Sequence, residues 1–280
     1  MECHECRLVY TVPGSTPTAL LDYYPDGYGP HAAARELRAT RSGRGLRRLL
    51  TWPYRVRFGE PDWTPRPFGS GRMLDVGCGG GALLGRMAAR GWRCLGIDTS
   101  ATAVERTRLR VPAAQVRRGT LDAVPREPAF DLITVCHALE HMPDPVAAVR
   151  TMASLLVPRG KLFVSIPNLD SLEARLFGKC WVGLDVPRHC VHFRRPVFEA
   201  LLERNGFRVL HARPALFASS ISESLILMLP SIVRRRMVGS RAARYLYLVI
   251  APVAIVSYVL GNAGVLEIVA EKREKSNERT

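Results

Sequence analysis

Three groups of residues in this sequence have the types and spacing that chemistry requires. The first is Asp75-Val76-Gly77-Cys78-Gly79-Gly80-Gly81, with a second acid at Asp98. Gly77, Gly79 and Gly81 permit unusual backbone dihedrals and close approach of the main chain to a ligand at the start of a helix. The second group is His137, Glu140 and His141, set just after an apolar run. The third is Trp181, Asp185, Arg188, His189, His192 and Phe193, a stretch dense in aromatic and ionisable types for a connection. An imidazole titrates near neutrality and moves protons, and a guanidinium holds an anion.

The elements around these groups decide what they can do together. Met73 to Val76 is a short apolar run, Ala82 to Arg90 has helical spacing with Leu83, Leu84, Met87 and Ala88 on one side, and Trp92 to Ile97 is a second apolar run stopping at Asp98. This is a βαβ unit, and ligands of open α/β sheets bind at the carboxyl ends of the strands. Gly77-x-Gly79-x-x-Ala82 also fits the relaxed dinucleotide fingerprint. Asp75 breaks the tie, because a carboxylate two residues before the first glycine suits a ligand with ammonium and sulfonium charge and repels a pyrophosphate. Asp98 accepts hydrogen bonds from ribose hydroxyls under either reading.

Further along, Ala101 to Arg110 reads as a helix and Ala114 to Gly119 as a strand, then Phe130 to Cys136 and Gly160 to Ile166 as strands. Asp144 caps a helix that Pro145 begins, with Val146, Val149, Met152 and Leu155 inward. Phe198 to Asn205 is amphipathic and ends at Gly206, a strand starts at Phe207, and Gly264 to Ala270 is the final strand.

Asp75 to Gly81 with Asp98 resembles motifs I and II of the class I S-adenosylmethionine-dependent methyltransferases, and His137-Ala-Leu-Glu-His-Met-Pro-Asp-Pro resembles that family's LEH-x-x-DP block. The resemblance implies a Rossmann-like sheet of seven mostly parallel strands with helices on both faces, and S-adenosyl-L-methionine as cofactor. It carries over Asp75, Gly77, Cys78, Gly79, Gly81, Asp98, Thr99 and His137 as cofactor contacts, and puts Thr120 and Leu121 where the family meets the adenine. The segment from Pro167-Asn168 to Phe193 resembles a lid found in methyltransferases of sugars and natural products. On that likeness Trp181 and Phe193 pack on the acceptor, Asp185 and Arg188 meet it, and His137, His189 or His192 takes its proton. The related ubiquinone-biosynthesis O-methyltransferases are implied to place magnesium at the positions of His137, Glu140 and His141. A histidine at the first position suits so hard a cation poorly, so no metal is expected and Glu140 with His141 is read as bracing the loop.

Cys3-His-Glu-Cys6 is half of a tetrahedral zinc site and resembles the tail of a zinc ribbon, but its other half is not nearby, so zinc is not expected. Residues 1–67 are read as this remnant plus a basic helical cap and a Pro-rich linker, 68–272 as the methyltransferase domain, and 273–280 as a disordered tail. Within the domain, residues 221–260 form a hydrophobic insertion before the last strand, read as two apolar helices joined by the basic turn Arg234-Arg-Arg236. Its second half, Tyr245 to Leu260, is too short to span a bilayer and holds Pro252. The insertion therefore rests in an anionic leaflet, or is buried against the domain or in a homodimer.

The net charge is +15, yet all but four of the 40 basic residues are arginines spread along the whole chain. With no nucleic-acid module beside them, nucleic acid is not an expected partner. Seven cysteines without a disulfide framework and no signal peptide at the start point to the cytoplasm, at the inner membrane face if the insertion meets lipid. The reaction expected is O-methylation of a small molecule, a glycan or a lipid-linked precursor. The alternatives are a nicotinamide-dependent oxidoreductase and a catalytically silent interaction protein of the same fold.

Overall fold

The computed structural model describes residues 1–12, 71–127, 129–215, 218–237 and 256–274. The basic cap, the Pro-rich linker, residues 238–255 of the insertion and the last six residues lie outside the described residues.

The sheet is built from β2 (Arg72–Val76), β3 (Arg93–Asp98), β4 (Gln115–Arg118), β5 (Phe130–Cys136), β6 (Leu156–Pro167), β8 (Phe207–Ala215) and β9 (Val265–Lys272), after a short N-terminal β1 (Val9–Tyr10). Its order is β4-β3-β2-β5-β6-β9-β8. The first five are parallel neighbours, and β9 inserts antiparallel between β6 and β8. This is the seven-stranded, mostly parallel sheet expected from the sequence. Strands covered on both faces do not alternate: Met73 to Val76 and Leu132 to Val135 are all buried, and apolar except for Asp75 and Thr134.

Helices α1 (Ala82–Ala88), α2 (Ala101–Arg110), α3 (Pro145–Leu155), α4 (Leu172–Phe177) and α5 (Arg195–Arg204) come after β2, β3, β5, β6 and the two-residue β7 (Val191–His192). Ser100, Asp144 and Ser171 cap α2, α3 and α4 by accepting from the backbone N–H three residues on, which satisfies a donor that the helix cannot. Asp144 thus holds the position read from the sequence, and Val149, Met152 and Leu155 of α3 are buried. β6 begins at Leu156, four residues earlier than expected. The strand bulges there, its pairing with β5 jumping from Leu156 to Lys161.

Two further differences concern the ends of the chain. Residues 1–12 are docked on the domain. β1 pairs antiparallel with β7 (Val191–His192), and Leu8 is buried in the main core with Val191 and Phe193. In the insertion, α6 (Ala218–Met228) stops before Pro230, which cannot continue a helical hydrogen-bond ladder, and α7 (Ser231–Met237) follows. Arg234, Arg235 and Arg236 therefore lie within a helix, not in a turn. Among the described residues no helix is long and apolar enough to cross a membrane.

The packing of the glycine turn is testable. Gly77 has φ +71, and a Cβ on it would lie 2.6 Å from that of Ala138, whereas a Cβ on Gly80 meets nothing within 4 Å. Gly77→Ala should cost about 2–4 kcal/mol in urea unfolding, left-handed strain plus overpacking. Gly80→Ala should stay within about 0.5 kcal/mol of wild type.

Candidate functional site

The parallel register brings the ends of β2, β3, β4, β5 and β6 to one edge of the sheet, and the three groups singled out in the sequence meet along it. At its centre is the turn Gly77 to Gly81 between β2 and α1. The N–H groups of Gly77 and Cys78 both donate to the carbonyl of Ile97. Thr107 on α2 donates from Oγ1 to the Gly79 carbonyl at 2.6 Å and fills the space beside Gly81, where a Cβ would lie 2.5 Å from its methyl. Nothing in the sequence pattern marks Thr107 as a support of the turn.

Asp98 ends β3 beside that turn. Its Oδ2 accepts from Gly79 N–H at 2.9 Å and its Oδ1 from Ser100 N–H at 2.8 Å. A carboxylate oxygen has two lone pairs, so each retains capacity for a ligand hydroxyl. Thr99 is exposed next to it, and on the neighbouring loop after β4 Thr120 is exposed and Leu121 half-buried.

Asp75 differs from the expectation of a carboxylate offered directly to a ligand. It is 3 % exposed and accepts from Thr134 Oγ1 at 2.6 Å. Burial raises its pKa to about 7, with the charge of Asp98 adding to the rise and the Thr134 hydrogen bond opposing it. Asp75 thus lies beneath the glycine turn, close enough to Asp98 to sense its charge, and is held near the point of neutralisation. The Cys78 side chain is likewise buried, with its thiol pushed up by burial, an inert packing group.

On the other side of the turn, His137 follows β5 with φ 51, its N–H donating to the Ser165 carbonyl. Its Nδ1 is 3.4 Å from Glu140 Oε1, and its side chain is 34 % exposed, the most open of the imidazoles on β5 and the lid that were read as proton acceptors. Glu140 is 1 % exposed. Burial would raise its pKa, but His137, and then the charges of His189 and His141, more than offset that and hold the carboxyl at about 2. His141 and His189 stack edge to face with centroids 4.6 Å apart.

Asp185 and Arg188 form a two-pronged ion pair with each other, with Arg188 Nε 2.9 Å from Asp185 Oδ2. His189 is buried, which pushes its pKa down, and its Nδ1 is 2.8 Å from the Gly183 carbonyl.

Three sequence expectations are corrected here. Phe193 is a core residue, 1 % exposed and packed against Phe198 with ring centroids 5.0 Å apart. Trp181 is buried with Phe177 and Ile221 between the lid and α6. His192 is turned towards the N-terminal segment: Thr11 donates to the His189 carbonyl and sits 3.0 Å from His192 Nε2, so that nitrogen carries the proton and donates. Burial and His189 press the His192 pKa down to about 4. In each case the alternation of buried types looked the same in sequence as an acceptor-facing surface, because aromatic and histidine side chains serve both.

The chain was compared with known proteins. The methyltransferase-domain family matches residues 36–212, more than half of the chain. A ubiquinone biosynthesis O-methyltransferase of Xanthomonas euvesicatoria is 42% identical over 131 residues, 44% of this chain and 55% of that protein. The chain thus spans about half the length of the curated relatives it matches. An S-adenosylmethionine-dependent methyltransferase from Mesorhizobium loti superposes with a TM-score of 0.51 at 19% identity, covering 81% of this chain and 100% of that one. A geranyl diphosphate methyltransferase solved with GPP and sinefungin gives a TM-score of 0.51 at 16% identity, covering 74% and 73%. At those identities the structural likeness establishes the fold.

The buried Asp75 gives a pH signature. Its pKa rises on folding from 3.8 to about 7, so its contribution to stability is complete below about pH 4 and is lost as pH rises through 7. Asn in its place keeps a partner for Thr134 and does not ionise. Between pH 5 and pH 8, Asp75→Asn should gain stability relative to wild type by about 2–4 kcal/mol, read from urea midpoints across pH. A constant difference would show that Asp75 does not titrate there.

Proposed function

The chain belongs to the methyltransferase-domain family, and from that premise we propose that it transfers a methyl group from S-adenosylmethionine to a hydroxyl oxygen of a small-molecule, glycan or lipid-linked acceptor. The observation that carries the cofactor assignment is the Asp98 carboxylate, fixed by Gly79 and Ser100 beside a turn that admits no side chains at Gly77 and Gly81. These residues fit the cofactor: Asp98 holds ribose hydroxyls, the main chain of Gly77 to Gly81 lies against the donor's amino-acid end, Asp75 supports that turn from below, and Thr99, Thr120 and Leu121 flank the adenosine. When bound, the cofactor supplies a methyl carbon already activated by the adjoining sulfonium.

The chain's own task is then to align the acceptor oxygen and remove its proton. His137 is the group for that, since it opens onto the same edge and its imidazole is oriented by the ionised Glu140. His189 reaches the edge from the lid, and the Asp185–Arg188 pair shapes the acceptor side. The identity of the relatives named for ubiquinone biosynthesis supports an oxygen acceptor on a small molecule. A nicotinamide ligand is disfavoured by the family match and by an acidic residue under the turn.

Calorimetry with S-adenosylhomocysteine checks the assignment. Wild type should bind with one site, and Asp98→Ala should bind roughly 10–100-fold more weakly, the loss of hydrogen bonds to a charged group. Heat from NADH and none from S-adenosylhomocysteine would make the protein an oxidoreductase instead.

The insertion supports a peripheral membrane location on the cytoplasmic side. Met228, Ile232, Val233, Val259 and Leu260 are all exposed, and Arg234 lies beside Ile232 and Val233 on the same helix. Apolar side chains with basic neighbours suit an anionic leaflet. Wild type should float with phosphatidylglycerol vesicles and not with phosphatidylcholine ones, and Ile232→Glu with Val259→Glu should abolish flotation. If a concentration-dependent dimer forms and no vesicle is bound, the surface is a homodimer contact.

A further inference from the structure

We propose that Glu140, His141 and His189 form a binding site for one divalent cation of the zinc class, tying the lid to the loop after β5. This goes against the sequence expectation of no metal, and it does not depend on the identity of the methyl donor. It also differs from the magnesium set implied by resemblance, because His189 comes from a different segment and His137 is not a member.

One donor atom from each of Glu140, His141 and His189 lies within 4.8 Å of the others. His189 Nε2 is 4.0 Å from Glu140 Oε1 and 3.9 Å from Asp185 Oδ2. Two ligand atoms each about 2.1 Å from a common zinc ion sit roughly 3–4 Å apart, so closure needs side-chain shifts of about an ångström. Glu140 supplies a second, independent observation. It is 1 % exposed, and neither carboxylate oxygen has a hydrogen-bond donor in good alignment. A carboxylate whose nearest donor, His137 Nδ1 at 3.4 Å, is poorly aligned is costly to bury, and a coordinated cation relieves that cost.

The imidazoles are arranged as metal ligands are. His189 Nδ1 faces the Gly183 carbonyl at 2.8 Å and His141 Nδ1 faces the Arg188 carbonyl at 3.0 Å. A carbonyl only accepts, so the proton of each ring is on Nδ1, the outer partner that fixes the tautomer and orientation of metal-bound histidine. Two nitrogens and one carboxylate match zinc, cobalt or iron(II) and do not match magnesium or calcium, which take oxygen shells. The ion would join the short turn Leu139–His141 to the lid.

The test uses the full chain purified without a polyhistidine tag, stripped with chelator and titrated with Co²⁺ and then Zn²⁺, with absorption spectra and elemental analysis as readouts. One cobalt per chain is expected, with ligand-field bands of a low-coordinate site and no thiolate charge-transfer band. Zinc should displace it, and a hundredfold excess of Mg²⁺ should not. Glu140→Gln and His189→Ala should each weaken cobalt binding at least tenfold, while His137→Ala and Cys3→Ser with Cys6→Ser should retain it. Circular dichroism checks that each variant is folded; if one is not, the wild-type stoichiometry and spectrum decide. No saturable ion in wild type, unaltered affinity in folded His189→Ala, or a thiolate spectrum lost with the cysteines would overturn the proposal. Calorimetry with S-adenosylhomocysteine on the same samples reports separately on the methyl-donor reading.

Discussion

The site depends on one hydrogen bond across the sheet edge, from Gly79 N–H to Asp98 Oδ2 at 2.9 Å. With the bonds from Gly77 and Cys78 N–H to the Ile97 carbonyl it ties the turn to a strand end that is rigid, because β3 is paired with β2 and with β4. The register makes this bond available: Val76 lies opposite Ile97, so the turn after β2 emerges one residue short of Asp98. A carboxylate that accepts from two backbone groups gains order at low entropic cost and presents its remaining lone pairs outward. Thr107 completes the arrangement from α2 by holding the Gly79 carbonyl. The glycines alone would leave a loop with too many conformations to be a preformed site.

Buried acids show how the same sheet edge sets different protonation states a short distance apart. Burial is the largest influence on both Asp75 and Glu140 and pushes both upward. Asp75 has a hydroxyl donor and a neighbouring negative charge, so burial prevails and its pKa stands near 7. Glu140 has three imidazoles around it, so attraction prevails and it stays ionised. The deciding factor is the sign of the nearest partners, since the burial is similar. The edge thus has a near-neutral acid under the glycine turn and a negative charge beneath His137.

Much of this was legible in the sequence. Apolar runs of strand length, the glycine cluster, Asp98 and the Asp144-Pro145 helix start each have a local physical cause, and they stand where the sequence put them. The N-terminal strand was not legible, because the pairing of Val9 with His192 joins residues far apart in the chain and only the fold brings them together. The lid was misread for the related reason that Trp181, His192 and Phe193 are types used equally by cores and by ligand surfaces. Their burial is decided by α6 and by residues 1–12, neither of which sequence spacing near the lid can reveal. The tautomer-fixing carbonyls of Gly183 and Arg188 were equally invisible, since main-chain acceptors carry no residue signature.

The lid is therefore the point where the peripheral parts of the chain converge on the chemistry. Residues 1–12 fasten its far end through Thr11 to His189 and His192. α6 fastens its near end, with Ser224 Oγ accepting from Val182 N–H at 3.0 Å and Ile221 packed on Trp181. Between these clamps lie Asp185, Arg188 and His189. α6 is also the first helix of the apolar insertion, so the insertion and the lid share two packed contacts.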